Sequence, residues 1–138
     1  MLFIKSMKKI NTLCLVDDDN GFQFLTKRAL EQTNMVGEVK VFSNGLEAIN
    51  FLKDTVENKE ELPEVILLDL NMPIMDGWEF VDEYLSLLPK LKKKIYLYIV
   101  SSSISQRDYE KAKSYSTITD YIVKPLTKDK FAEIIGGL

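Results

Sequence analysis

Histidine is missing from all 138 residues, and cysteine appears once. Without an imidazole the chain can carry neither a phosphohistidine of its own nor a histidine-ligated metal, and its single thiol, Cys14, closes no internal disulfide. Cys14 lies in an apolar run, where a small buried thiol is the expected state, so a reducing, cytoplasmic setting is expected. Long hydrophobic runs are absent too: Ile95 to Val100 is among the longest, far short of the roughly 18 residues that span a bilayer. Met1 to Lys9 holds only Leu2-Phe3-Ile4 before Lys5, Lys8 and Lys9, which is too little for a secretory signal. An excess of one charge is also lacking. Eighteen basic against 21 acidic residues leave a net charge of -3, which exerts no overall pull on nucleic acid or an anionic membrane.

What is present is the composition of one globular domain: 46% hydrophobic and 28% charged residues, enough to fill a core and remain soluble. Residues 1–138 are expected to form that single domain, with 1–8 as an N-terminal extension and no output domain after the last helix. Short apolar runs alternate five times with segments of helical period, the pattern of parallel strands joined by crossover helices. The strands are expected at Ile10 to Val16, Val39 to Phe42, Val65 to Leu68, Ile95 to Val100 and Tyr121 to Val123. Apolar stripes at Phe22, Leu25 and Ala29, at Leu46, Ile49, Leu52 and Val56, at Val81, Tyr84, Leu85 and Leu88, and at Phe131, Ile134, Ile135 and Leu138 supply helix faces to cover them. Asn44 with Glu47, Asp76 with Glu79 and, more weakly, Ser105 with Asp108 mark helix starts. The fold class is therefore α/β, a doubly wound (βα)5 domain.

In an open parallel sheet, ligands bind beyond the carboxyl ends of the strands. Here those ends are Asp17-Asp18-Asp19, Asp69, Ser101-Ser102-Ser103 and Lys124-Pro125. Carboxylates gathered within a few Å repel one another and raise their own pKa values unless a cation sits among them. All-oxygen donors favour a hard ion, Mg2+ with Mn2+ as a substitute. With that ion and Lys124 beside it, Asp69 is held ionised and can serve as a nucleophile toward phosphorus.

These residues, in this order, resemble the receiver domain of two-component response regulators. The resemblance runs from about Lys9 to Leu138. It rests on Leu15-Val16-Asp17-Asp18-Asp19, on Leu67-Leu68-Asp69-Leu70-Asn71-Met72-Pro73 with Met75-Asp76-Gly77, on Val100-Ser101-Ser102, and on Tyr121-Ile122-Val123-Lys124-Pro125. Each motif alone is weak. Their spacing, 52 residues from Asp17 to Asp69 and 55 from Asp69 to Lys124, makes the set specific.

The resemblance implies a flavodoxin-like sheet of strand order 2-1-3-4-5, with Asp69 as phosphoacceptor. It assigns the metal to Asp17, Asp18, Asp69 and the backbone carbonyl of Asn71. Ser101 becomes the switch hydroxyl, with Ser102 as the alternative, Lys124 the phosphate-contacting amine and Tyr121 the aromatic switch. A cis Lys124-Pro125 bond goes with the same pattern. Asp19 is expected to cap the first helix, and the side chains of Asn71 and Ser103 to flank the phosphoryl group. The implied donor is a sensor histidine kinase or histidine phosphotransfer protein, external because the chain has no histidine. The implied recipient is a downstream protein that reads the face made by the fourth helix, fifth strand and fifth helix, where Tyr109, Lys113, Tyr115 and Lys128 fall. Trp78 is expected to serve packing. Such a protein is a signalling switch that contacts neither nucleic acid nor membrane directly. The principal rival is a haloacid-dehalogenase-like phosphatase, in which Asp17 would be the nucleophile and Asp19 the acid.

Overall fold

The computed structural model describes residues 9–138, so the expected extension over 1–8, and with it all of the Met1 to Lys9 reading except Lys9, falls outside the described residues. Five strands alternate with five helices: β1 (Ile10–Val16), α1 (Asn20–Gln32), β2 (Val36–Phe42), α2 (Gly45–Thr55), β3 (Val65–Leu68), α3 (Gly77–Leu87), β4 (Tyr96–Ser101), α4 (Gln106–Lys113), β5 (Ile118–Val123) and α5 (Lys128–Gly136). A 3-10 turn, Leu88–Lys90, extends α3. The strands lie in the order β2-β1-β3-β4-β5, and each neighbouring pair is parallel.

The two-residue period of a strand divides the core. Cys14 and Val16 of β1 point with Ile66, Leu68, Leu97 and Ile99 toward Ile49 and Leu52 of α2, Phe80, Val81 and Tyr84 of α3, and Ala112 of α4. Leu13 and Leu15 point the other way with Val65, Leu67, Tyr98, Val100 and Ile122, toward Leu30 of α1 and Phe131 and Ile135 of α5. Helices on both faces explain why β1, β3 and β4 read as continuous apolar runs. Cys14 is buried, and burial pushes its thiol up to about 12. No helix among the described residues is long and apolar enough to cross a membrane.

Several boundaries differ from expectation. Strand β2 begins at Val36, three residues early, because an edge strand tolerates the polar Glu38 and Lys40, and because Gly37 lets the backbone of β1 approach. A Cβ there would sit 2.7 Å from the Asn11 carbonyl. Strand β5 begins at Ile118; a register shift against β4 between Leu97 and Tyr98 interrupts the alternation and disguises its first half. Strand β4 runs from Tyr96 to Ser101, one residue later than expected at each end. On α1 the inward face is turned by about one residue. Thr26 and Leu30 are buried, whereas Leu25, expected inside, is 65% exposed. Leu46 and Leu88 also face outward, and Ala48 and Phe80 take the inner positions.

The helix starts follow their local chemistry. Asp76 caps α3 in a full capping box with Glu79. Asn44 caps α2 by accepting from the Glu47 N–H, while the Glu47 carboxylate reaches the Ser43 N–H instead of the cap residue. Ser105 accepts from the Asp108 N–H at the start of α4.

Candidate functional site

Sheet hydrogen bonds continue one residue past three strands and fix the backbone of the site. The Asp17 N–H donates to the Phe42 carbonyl, the Asp69 N–H to Val16 and the Lys124 N–H to Ser101, each at 2.9 Å. Because Val16 pairs with Leu68, Asp17 and Asp69 leave adjacent strands at the same level. Lys124 follows directly on β5, and the Lys124-Pro125 bond that leads away from it is cis.

The side chains converge as the strand ends predict. Lys124 Nζ lies 2.7 Å from Asp17 Oδ2 and 3.9 Å from Asp69 Oδ1. One ligand oxygen from each of Asp17, Asp18 and Asp69 falls within 4.8 Å of the others. Asp17 and Asp69 are buried and Asp18 is exposed. Burial, and then the Asp17 carboxylate, push Asp69 up to about 6, against the opposing pull of Lys124 and the Leu70 N–H. That N–H donates to Asp69 Oδ1 at 2.9 Å. Three carboxylates against one ammonium, two of them nearly dry, form a donor set that suits a hard divalent cation.

Asp19 stands apart from this cluster as the N-cap of α1, accepting from the Phe22 N–H at 3.0 Å. Its own N–H donates to Asp17 Oδ1 at 2.9 Å. Asp17, tied to Lys124 through one oxygen and to the Asp19 backbone through the other, is engaged on both sides, and the acid of the rival phosphatase pair is committed to a helix cap.

The loop after β3 is tightly drawn around Asp69. A Cβ on Gly77 would lie 2.5 Å from the Asp69 carbonyl oxygen, so the start of α3 reaches the site only with glycine there. The Met75 N–H donates to the Pro73 carbonyl at 2.7 Å, closing a γ-turn about Ile74, whose φ is 70°. The Met75 carbonyl accepts the Gly45 N–H at 2.9 Å, tying this loop to α2. Asn71 is exposed in the same loop.

Of the three serines after Val100, Ser101 is fully buried and Ser102 exposed, as the strand's alternation requires. Ser101 Oγ accepts the Ser103 N–H at 3.1 Å. Ser103 holds the loop together: its Oγ donates to Asp108 Oδ2 at 2.9 Å and accepts the Ser105 N–H at 3.2 Å, and its carbonyl accepts the Tyr121 hydroxyl at 2.9 Å. The half-buried Tyr121 ring meets Tyr109 edge-on, with centroids 6.0 Å apart.

Tyr109, Lys113, Tyr115, Asp120 and Tyr121 line a cleft of about 240 Å³ between α4 and β5. Lys128 lies exposed at the start of α5. Trp78 packs against the core, stacks on Tyr115 at 6.1 Å and carries Lys111 Nζ 4.5 Å above its ring.

Two residues outside the expected set also stand in the site. Gln23 Nε2 donates to the Asp17 carbonyl and, at 3.3 Å, to Ser43 Oγ. Phe22, expected only as part of an apolar stripe, places its ring 4.0 Å from Lys124 Nζ. Hydropathy announces neither contact: Asp17 lies just before the turn that leads into α1, and Lys124 arrives from the distant end of β5.

Comparison with known proteins agrees with this geometry. Residues 13–136 match the family model described as the response regulator receiver domain. The probable methanogenesis regulatory protein FilR2 of Methanothrix harundinacea is 28% identical over 116 residues, covering 83% of this chain and 72% of that protein. A two-component response regulator from Cytophaga hutchinsonii superposes with a TM-score of 0.83 at 30% identity, covering 95% of this chain and all of the other. The Mn(2+)-bound form of response regulator Rcp1 matches with a TM-score of 0.72 at 28% identity, over 92% of this chain and 90% of that one. Two further curated relatives are longer, and the chain spans 14% and 51% of their lengths.

Proposed function

The chain belongs to the response regulator receiver domain family, and we propose that within it Asp69 is the phosphoacceptor of a signalling switch. Membership makes the protein a receiver domain, the module that accepts signals in two-component systems. The observation that carries the finer reading is Lys124 Nζ, set between Asp17 and Asp69 from a third strand end 55 residues away in sequence. Asp17, Asp18, Asp69 and the Asn71 carbonyl would hold Mg2+, with Mn2+ able to replace it. The buried, mutually repelling carboxylates fit such an ion. When bound, it neutralises charge on phosphoryl oxygens.

The donor is a phosphohistidine of a sensor histidine kinase or histidine phosphotransfer protein, external to these 138 residues because they contain no histidine. An Asp69 oxygen attacks phosphorus as the phosphorus–nitrogen bond breaks. The imidazole leaves with the electron pair and takes up a proton, and the carboxylate becomes an acyl phosphate. Lys124 binds a phosphoryl oxygen through its ammonium. Ser101 gives up the bond from the Ser103 N–H and turns its hydroxyl to another phosphoryl oxygen. That frees Ser103 to shift, and with it Tyr121, whose hydroxyl rests on the Ser103 carbonyl. The phosphoryl group carries about -2 at pH 7 where the carboxylate carried about -1, and the extra charge acts through these contacts on α4, β5 and α5, the face a downstream protein reads.

The test is to incubate the protein with Mg2+ and acetyl phosphate and to follow intact mass beside Asp69→Asn. The wild type should gain one acid-stable, base-labile phosphoryl group, and the variant none. A label that persists in Asp69→Asn places the nucleophile elsewhere.

A further inference from the structure

The Lys124 ammonium is held on more than its acidic side. Its side chain is 16% exposed, with Asp17 Oδ2 at 2.7 Å, Asp69 Oδ1 at 3.9 Å and the centre of the Phe22 ring at 4.0 Å. Phe22 occupies the first turn of α1, where its N–H is held by the Asp19 cap. Its half-buried ring packs against the cluster that includes Leu30 and Phe131. The ring is therefore anchored by the helix start below and the core behind, and presents a face toward the amine. An ammonium has three N–H donors but no preferred direction of its own, since its four-carbon stem is flexible and its charge is compact. The negative face of an aromatic ring attracts it, most strongly where water is excluded.

We infer that Phe22 is a positioning residue for phosphoryl transfer: its ring holds the Lys124 ammonium over the gap between Asp17 and Asp69, so that an N–H remains aimed at the incoming phosphoryl oxygen. This rests on the assignment of Asp69 as phosphoacceptor. Without the ring, the ammonium is free to swing toward water, and the phosphoryl group then meets an amine that must first be drawn back. An aliphatic residue of similar bulk keeps the packing but lacks the charge distribution, whereas tyrosine keeps both.

The experiment compares wild type, Phe22→Leu, Phe22→Tyr, Lys124→Met and the double variant Phe22→Leu with Lys124→Met. The initial rate of labelling by acetyl phosphate at saturating Mg2+ is read by intact mass, and Mg2+ affinity by calorimetric titration. Phe22→Leu should label about five- to tenfold more slowly, the scale of a desolvated cation–π contact, and Phe22→Tyr should stay within about twofold of wild type. Mg2+ affinity should stay within about twofold of wild type in both Phe22 single variants, and on the Lys124→Met background the leucine should change neither rate nor affinity further, as a shared contact requires.

The proposal is overturned if Phe22→Leu labels at the wild-type rate, if its slowing persists without Lys124, or if Mg2+ affinity falls in parallel. A separate readout is the proton shift of the Lys124 Cε methylene, which the ring should move upfield in wild type and not in Phe22→Leu. Failure to find that shift removes the contact itself. A wild type that shows the shift but takes no label sinks the phosphoacceptor reading and the positioning role together. A labelled wild type with an equally fast leucine variant sinks the positioning role alone.

Discussion

Asp69 destabilises the metal-free fold at neutral pH, because burial and the Asp17 carboxylate raise its pKa from 3.8 to about 6. A carboxyl whose proton is held more tightly folded than unfolded makes stability rise as pH falls from above about 6 toward 4, the reverse of an ion-paired acid. In chelator-treated protein the urea midpoint should therefore climb between pH 7 and pH 5. Asp69→Asn should lack that slope and be more stable at pH 7 by about 1–2 kcal/mol, after discounting for solvent around a partly screened group. A variant less stable than wild type would contradict the repulsion. Ile74 poses a second cost at this scale. A β-branched residue at φ 70° in a γ-turn, itself 75% exposed, combines backbone strain with little packing to offset it. Ile74→Gly should raise stability by about 1 kcal/mol in urea unfolding, and a loss would show that the exposed side chain contributes more than the strain removes.

Among the elements, the sheet's amino edge depends on one side chain as much as its carboxyl edge depends on the acids. Glu64, just before β3, accepts the Asn11 and Thr12 N–H groups of β1, each at 2.9 Å, and pairs with Lys93 at 2.6 Å. Its burial works to raise the pKa, but the Lys93 hydrogen bond and the two backbone donors together lower it below 4.5. Its contribution to stability is present above that ordinary value and is lost as pH falls through the lowered one, so it fails in acid where Asp69 no longer opposes folding. Glu64→Ala leaves two strand donors without their acceptor and Lys93 with only the Leu62 carbonyl, and should cost about 2 kcal/mol by denaturant titration at pH 7; a change near zero would mean that water replaces the carboxylate freely. The elements also differ in how plainly the chain announces them. Strands β1 and β3 were legible to the residue because both of their faces are apolar. The edge strands β2 and β5 begin earlier than hydropathy shows, since Glu38, Thr119 and Asp120 are tolerated only where one side meets water. The stripe on α1 was misplaced because Phe24 and Leu25 are apolar yet exposed, and hydropathy alone does not say which apolar face turns inward.

For the molecule as a whole, a cation held by Asp17, Asp18 and Asp69 would link the ends of β1 and β3 and so stabilise every element packed on them. With Mg2+ at a hundredfold excess over its dissociation constant the fold should gain about 2.7 kcal/mol, a rise of several degrees in Tm by calorimetry that a chelator reverses. Asp18→Asn, which removes an exposed acid and no packing, should stay folded and lose most of that rise; an undiminished rise would remove Asp18 from the site.

The linear chain determined the alternation of strands and helices, the caps at Asp19, Asn44 and Asp76, and the residues at each strand end, because these follow from periods of two and 3.6 and from hydrogen bonds spanning three residues. It placed Asp17, Asp69 and Lys124 at one edge, since parallel strands in a doubly wound sheet all end on the same side. Only the folded molecule decided that Lys124 lies nearer Asp17 than Asp69, that Ser103 joins Ser101, Tyr121 and Asp108, and that Phe22 covers the amine. Those contacts join side chains up to 107 positions apart, and their distances depend on rotamers and sheet register, to which no local pattern is sensitive.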